Sequence, residues 1–349
     1  MFAYETIAAR SARLPHANGF GAMRHLLALG IVIVHGFILA TGHHAAMPAL
    51  VRLLADPILP AFFAISGYLV AGSLARAASL PEFLALRLLR IVPALVIVVM
   101  ATALLLGPLL TTLPAKQYFS QPEVPLYLHN MLGQLHFQLP GLFEFNPRAG
   151  IVNGSLWTIP LEVTCYGLLA VLALAGRQRM LTLLLAALAL LLMFPNAPFL
   201  GLLLTWLSAK WLVLAFACGA LLFRLRTHVP LHPLAGLTAL VLAMLLMRHS
   251  TALAMPLLAY GVVWLSLRRV PAGLTRTDYS YGFYLTAYPL QQAFISFAPQ
   301  APWWGNLLFA VPVGLTAAAL LWHGVENPIL SRKHEIVTRL RGLVPALAR

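Results

Sequence analysis

The chain has 349 residues, 61% hydrophobic and only 9% charged, with a formal net charge of +14. Ordinary soluble domains carry about 25% charged residues, so a separate water-soluble fold is excluded as the bulk of this chain. The basic residues are scattered as short flanks to apolar stretches, a pattern that records orientation in a membrane and argues against a nucleic-acid partner.

A polar, basic leader precedes the first apolar run, near 23–41, and no small-residue cleavage site follows it, so no cleavable signal peptide is expected. Apolar runs between Pro, Gly and charged breaks predict further spans near 57–76, 87–110, 157–176 and 179–194, then 199–223, 233–248, 251–267, 279–298 and 303–325. The expected fold is therefore all-α: a polytopic integral membrane bundle of about ten transmembrane helices. An even count puts both termini on one side. Arg52, Lys116, Arg148 and Arg248 fall on the opposite side and Lys210 inside a span; the rest of the 23 Lys and Arg residues share the side of the termini. Positive residues collect in the cytoplasm, so both termini are expected there.

Residues 1–330 read as one transmembrane domain and 331–349 as a short basic, amphipathic tail on the cytoplasmic surface. The long loop, 112–156, lies on the outer side and holds Tyr127, His129, His136 and Glu144. It is too apolar for disorder and fits a surface-lying segment, a flap over a cavity or a structured cap. Cys165 and Cys218 lie in apolar runs and read as packing residues; no metal site is expected.

Ionisable groups inside a spanning helix are costly and point to function. Arg24 and His35 stand eleven residues apart on the first helix, which returns to within about 20° of one face and separates them by about 16 Å. An interfacial anchor is the alternative for Arg24, and an interhelical hydrogen bond for His35. Glu162 lies in the fourth span at a depth similar to His35, where a carboxylate could orient the imidazole; a structural buried pair is the alternative. Arg87 and Arg90, at i and i+3, share a face at the cytoplasmic end of the third span and suit either orientation marking or phosphate contact. Ser66 lies near a midplane, where small residues also serve helix packing. Lys210 fits a snorkelling cation, a helix break or a site residue alike.

Six blocks occur in order: Arg24-x10-His35, the run 62–69 (Phe-Phe-Ala-Ile-Ser-Gly-Tyr-Leu), Arg87-x-x-Arg90-Ile91-x-Pro93, Ser155-Leu156-Trp157-Thr158-x-x-x-Glu162, the run 279–285 and Glu326-Asn327-Pro328. Together they resemble membrane acyltransferase family 3, the bacterial acyl-CoA-dependent O-acyltransferases of surface sugars, from about Asn18 to Pro328. The resemblance implies a bacterial inner-membrane enzyme that takes acyl-CoA, with acetyl-CoA expected, from the cytoplasm as co-substrate, without a tightly bound cofactor. The acceptor is expected to be a hydroxyl of an extracytoplasmic or lipid-linked carbohydrate. It further implies Arg24, Arg87, Arg90 and Ser66 on the donor, and His35 as general base or transient acyl-imidazole, with Glu162 orienting it. Trp157, Asn153 and Tyr284 are expected at the acceptor.

The chain departs from the pattern in one place: many members carry a His shortly after the Tyr-Leu of the ninth helix, where Ala287-Tyr288 stands here. That leaves His35 as the stronger catalytic candidate. No fused hydrolase-like domain is expected behind Pro328. The competing class is a secondary transporter or flippase of a glycan or small solute, which also keeps ionisable residues inside helices. Paired interrupted helices and internal repeats, which would favour it, are not evident. The sequence assigns no oligomeric state.

Overall fold

The computed structural model describes residues 5–14, 19–176, 209–271 and 277–343. The span expected at 179–194 and the stretch 199–208 of the next lie outside them. The described residues are helical, with no strand beyond one isolated bridge between Thr6 and Pro230. In chain order the principal helices are α1 (Ile7–Arg13), α2 (Phe20–Thr41), α3 (Ile58–Arg76), α4 (Leu80–Ala101) and α5 (Thr158–Leu174). They continue with α6 (Lys210–Leu225), α7 (Pro233–Leu246), α8 (Thr251–Ser266), α9 (Ser280–Phe297), α10 (Trp303–Leu321) and α11 (Lys333–Leu343).

Five helical stretches among the described residues are long and apolar enough to cross a bilayer: Phe20–Thr41, Ala49–Arg76, Leu80–Leu110, Gly154–Leu174 and Trp303–Ser331. This is the composition of a membrane helix bundle. Helix α9 is not among the five, because it carries polar side chains; Gln291 and Gln292 on it are fully buried within the protein.

Helix α4 starts seven residues before the expected 87. Ser79 and Glu82 cap its start, the Glu82 N–H donating to Ser79 Oγ at 3.3 Å and the Ala78 N–H donating to Glu82 Oε2 at 3.1 Å. Arg87 and Arg90 consequently sit inside the helix and not at its end. Lys210 is the first residue of α6, its ammonium 4.7 Å from the centre of the Trp211 ring.

The chain forms two compact units. The first comprises Met1–Leu27, Ala49–Phe83 and Leu161–Thr277. Its centre is the pairing of α3 with α6, where backbones touch through glycine. A side chain at Gly67 would strike the Phe216 carbonyl, and one at Gly219 the Ala64 carbonyl. Small residues permit this approach, and dispersion between the two helices then holds it. Helices α7 and α8 pack in the same way, with Gly236 against the Trp264 ring and Gly261 against Leu240. Cys165 and Cys218 are buried here as free thiols.

The second unit comprises Ala28–Pro48, Leu84–Pro160 and Asp278–Arg349. Ala28, Val32, Phe283, Ala287 and Ala318 form its core, with Leu307 and Val311 packed around them. Two π-helical turns interrupt its long helices, at Thr102–Leu106 and Trp322–Glu326. The long loop belongs to this unit and is an ordered cap. The Asn130 side chain donates to the carbonyls of Tyr127 and His136, both at 2.7 Å, and that of Asn146 donates to Gln292. The Tyr118 hydroxyl donates to the Ala103 carbonyl at 2.7 Å. Burial pushes the Tyr118 phenol up to about 12, and that of Tyr127 well above its ordinary value.

Candidate functional site

The expected site residues fall in both units, and each is described within its own. In the first unit, Glu162 on α5 is fixed by two donors to one oxygen. The Ser66 hydroxyl donates to Oε1 at 3.3 Å, and the Tyr166 hydroxyl, one turn along α5, donates to the same atom. Ser66 thus uses its hydroxyl on a carboxylate. Tyr166, which is buried, was not singled out by the sequence; the i, i+4 spacing from Glu162 was the available signal. Arg24 stands in the first unit one turn after Phe20 on α2.

In the second unit, the His35 imidazole lies edge-on to Tyr288, with ring centroids 5.0 Å apart and planes at 79°. The ring makes no hydrogen bond among the described residues, and the interhelical bond weighed as its alternative is not seen among them. The Tyr288 ring is clamped on another side by Gly154, where a Cβ would stand about 2.6 Å from the ring atoms. Arg148 of the cap donates to the Gly42 carbonyl at 3.4 Å. The side-chain amide of Gln291 donates to the Val32 carbonyl at 2.9 Å, one turn before His35 and Gly36. The structure therefore puts Tyr288, at the position where the sequence departs from the family pattern, directly beside the catalytic candidate.

Asn153 and Tyr284 are committed to the protein's own backbone. The Asn153 amide donates to the Leu285 carbonyl at 2.9 Å, and its oxygen accepts the Ser155 N–H at 3.1 Å, capping the short helix Gly154–Trp157. The Tyr284 hydroxyl donates to the Ser155 carbonyl at 3.0 Å and lies 2.8 Å from the Thr158 hydroxyl. Both hold the segment that carries Trp157, which is half-buried.

Arg90 is likewise engaged internally. Its guanidinium bonds Asp278 at 2.5 Å and Glu326, and it lies 5.5 Å from the centre of the Tyr281 ring. Glu326 is 2% exposed and is delivered by the π-helical turn Trp322–Glu326. Asp278 stands two residues before α9 and was not singled out by the sequence; its pairing with Arg90 was not legible there. The charge of Arg90 is thus compensated by two carboxylates; the sequence left orientation marking and phosphate contact both open for it, and the resemblance put it on the donor.

The sequence profile described as an acyltransferase domain matches residues 18–323, through both units. The chain is 30% identical over 289 residues to the O-acetyl transferase of Shigella phage Sf6, covering 78% of this chain and 84% of that protein. It is 29% identical over 360 aligned positions to Nodulation protein 10 of Rhizobium leguminosarum bv. viciae, covering 93% and 96%. No solved structure gives a significant match. With the profile running from ahead of Arg24 to His323 and the relatives aligned over most of their lengths, this chain belongs to the acyltransferase-3 family and is an O-acyltransferase.

Proposed function

We propose that the protein moves an acyl group from cytoplasmic acyl-CoA to a hydroxyl of an extracytoplasmic or lipid-linked carbohydrate, in the bacterial inner membrane. The acyl group in this reading is acetyl, supported by the name of the phage relative. Ten spans with both termini in the cytoplasm, as the Lys and Arg distribution suggests, give the donor and acceptor opposite faces.

The observation that carries the reading is His35: an imidazole in an apolar helix, with no hydrogen-bond partner among the described residues and one edge packed on Tyr288. Such a ring can take the proton of an acceptor hydroxyl as its oxygen attacks the thioester carbonyl. The C–S bond then breaks and the CoA thiolate recovers the proton from the imidazolium. Glu162, held by Ser66 and Tyr166, is the second catalytic position. Arg24 and Arg87 carry donor phosphate contacts, while Arg90 holds the helix from which Arg87 projects. Trp157 serves the acceptor, on a segment fixed by Asn153 and Tyr284.

The test is CoA release from acetyl-CoA by the purified protein in nanodiscs, with a carbohydrate acceptor. His35→Ala should retain the thermal unfolding profile and lose about 10²–10⁴-fold in rate, the range for removing a general base. A correctly folded His35→Ala protein with full activity would sink the assignment.

A further inference from the structure

The first unit contains a cavity of about 640 Å³ that the roles above do not use. It lies among α1, α3 and the end of α6, and its lining includes Ser11, Phe20, Tyr68, Gly72, Arg76 and Arg226. The volume is that of a small-molecule site. It holds two guanidinium groups, and none of its lining residues is acidic. Arg76 and Arg226 form no ion pair among the described residues.

The walls are built, not incidental. Phe20 stacks on Tyr68 with centroids 5.3 Å apart and planes at 14°, and Tyr68 meets Phe223 edge-on at 5.5 Å. The Arg226 guanidinium lies 4.0 Å from the centre of the Phe223 ring and donates to the Phe223 carbonyl at 2.8 Å, which fixes its direction. Gly72 opens the floor: a Cβ there would stand 3.0 Å from the Phe223 ring and 3.4 Å from Arg76 Nη1. Helix α1 is pinned as the roof, its Ala8 N–H donating to the Arg226 carbonyl at 2.9 Å and its Ile7 N–H to the Val229 carbonyl at 3.1 Å. Ser11 and Tyr68 each bring a hydroxyl-bearing side chain to the lining. Two forked cations, two hydroxyls and no carboxylate are the donor set for phosphate oxygens.

We propose that this cavity is a phosphate-binding site, with Arg76 and Arg226 as its ligating residues. The phosphate has two candidate sources, the acyl-CoA donor and the headgroup of an anionic phospholipid. Only the first rests on the donor reading above.

The experiment titrates CoA into wild-type protein, Arg76→Gln/Arg226→Gln and Gly72→Leu, all in nanodiscs of neutral lipid. Removing both guanidinium groups from the phosphate should weaken CoA binding about 10–100-fold, with the gap closing as salt rises. Gly72→Leu keeps both cations but fills the floor, and should weaken binding as well, which separates loss of the site from loss of charge. A second arm counts phosphatidylglycerol retained on the purified proteins by native mass spectrometry. Lipid missing from the double variant with unchanged CoA affinity assigns the headgroup. A folded double variant that binds CoA and retains lipid as wild type does overturns the proposal. If wild-type protein does not release CoA from acetyl-CoA, the donor reading falls, and the lipid arm still decides the cavity.

Discussion

Replacing Arg90 with methionine removes a cation from between two carboxylates while roughly keeping the volume of its stem. Glu326 is 2% exposed, and its second oxygen, Oε1, is already buried without a hydrogen-bond partner. Asp278 is 13% exposed and retains the Ser280 hydroxyl, which donates to it at 2.5 Å. Breaking a buried pair on one side costs about 3–5 kcal/mol, because the abandoned charge stays desolvated. The 18% exposure of the Arg90 side chain places the cost toward the lower end. The Arg90→Met/Glu326→Gln double variant leaves a single carboxylate with its own donor, so it should recover about 1–3 kcal/mol of that loss. Thermal or denaturant unfolding in nanodiscs, followed by tryptophan fluorescence, reads both effects. An Arg90→Met protein as stable as wild type, with only its apparent donor affinity reduced, would refute the structural role and return Arg90 to the phosphates.

Glu162→Gln should lower the transfer rate sharply with little change in unfolding, whereas Ser66→Ala and Tyr166→Phe, each removing one donor to Oε1, should give intermediate rates; equal rates for all three and wild type would remove Glu162 from the chemistry. Gly219→Val pushes a side chain into the Ala64 carbonyl and should destabilise the first unit by about 1–3 kcal/mol, as overpacking does; an unchanged unfolding midpoint would mean that α3 and α6 do not touch there. The Tyr118 phenol, raised in the folded protein from about 10 to about 12, binds its proton more tightly folded than unfolded. Its contribution to the cap is therefore complete below pH 10 and is lost as pH climbs toward 12. Late phenolate absorbance should shrink by the share of one tyrosine in Tyr118→Phe; a loss confined to the ordinary titration near pH 10 would contradict the burial.

Apolar runs 20 residues long have few fates other than a membrane helix, so the five long apolar stretches among the described residues were legible without tertiary information. The motif blocks carried the family for the same reason: they are local strings with fixed spacing. Even the early start of α4 was written locally, in Ser79-x-x-Glu82. What the order of residues does not encode is which charges meet. Arg90 and Glu326 are 236 positions apart, and only packing brings the π-helical turn at Trp322–Glu326 against α4 to neutralise a guanidinium that resembles a phosphate ligand. The same holds for Tyr288 beside His35, and for Arg76 and Arg226 around one cavity. Burial and pairing are properties of the neighbours a side chain acquires, and those neighbours are settled by the tertiary fold.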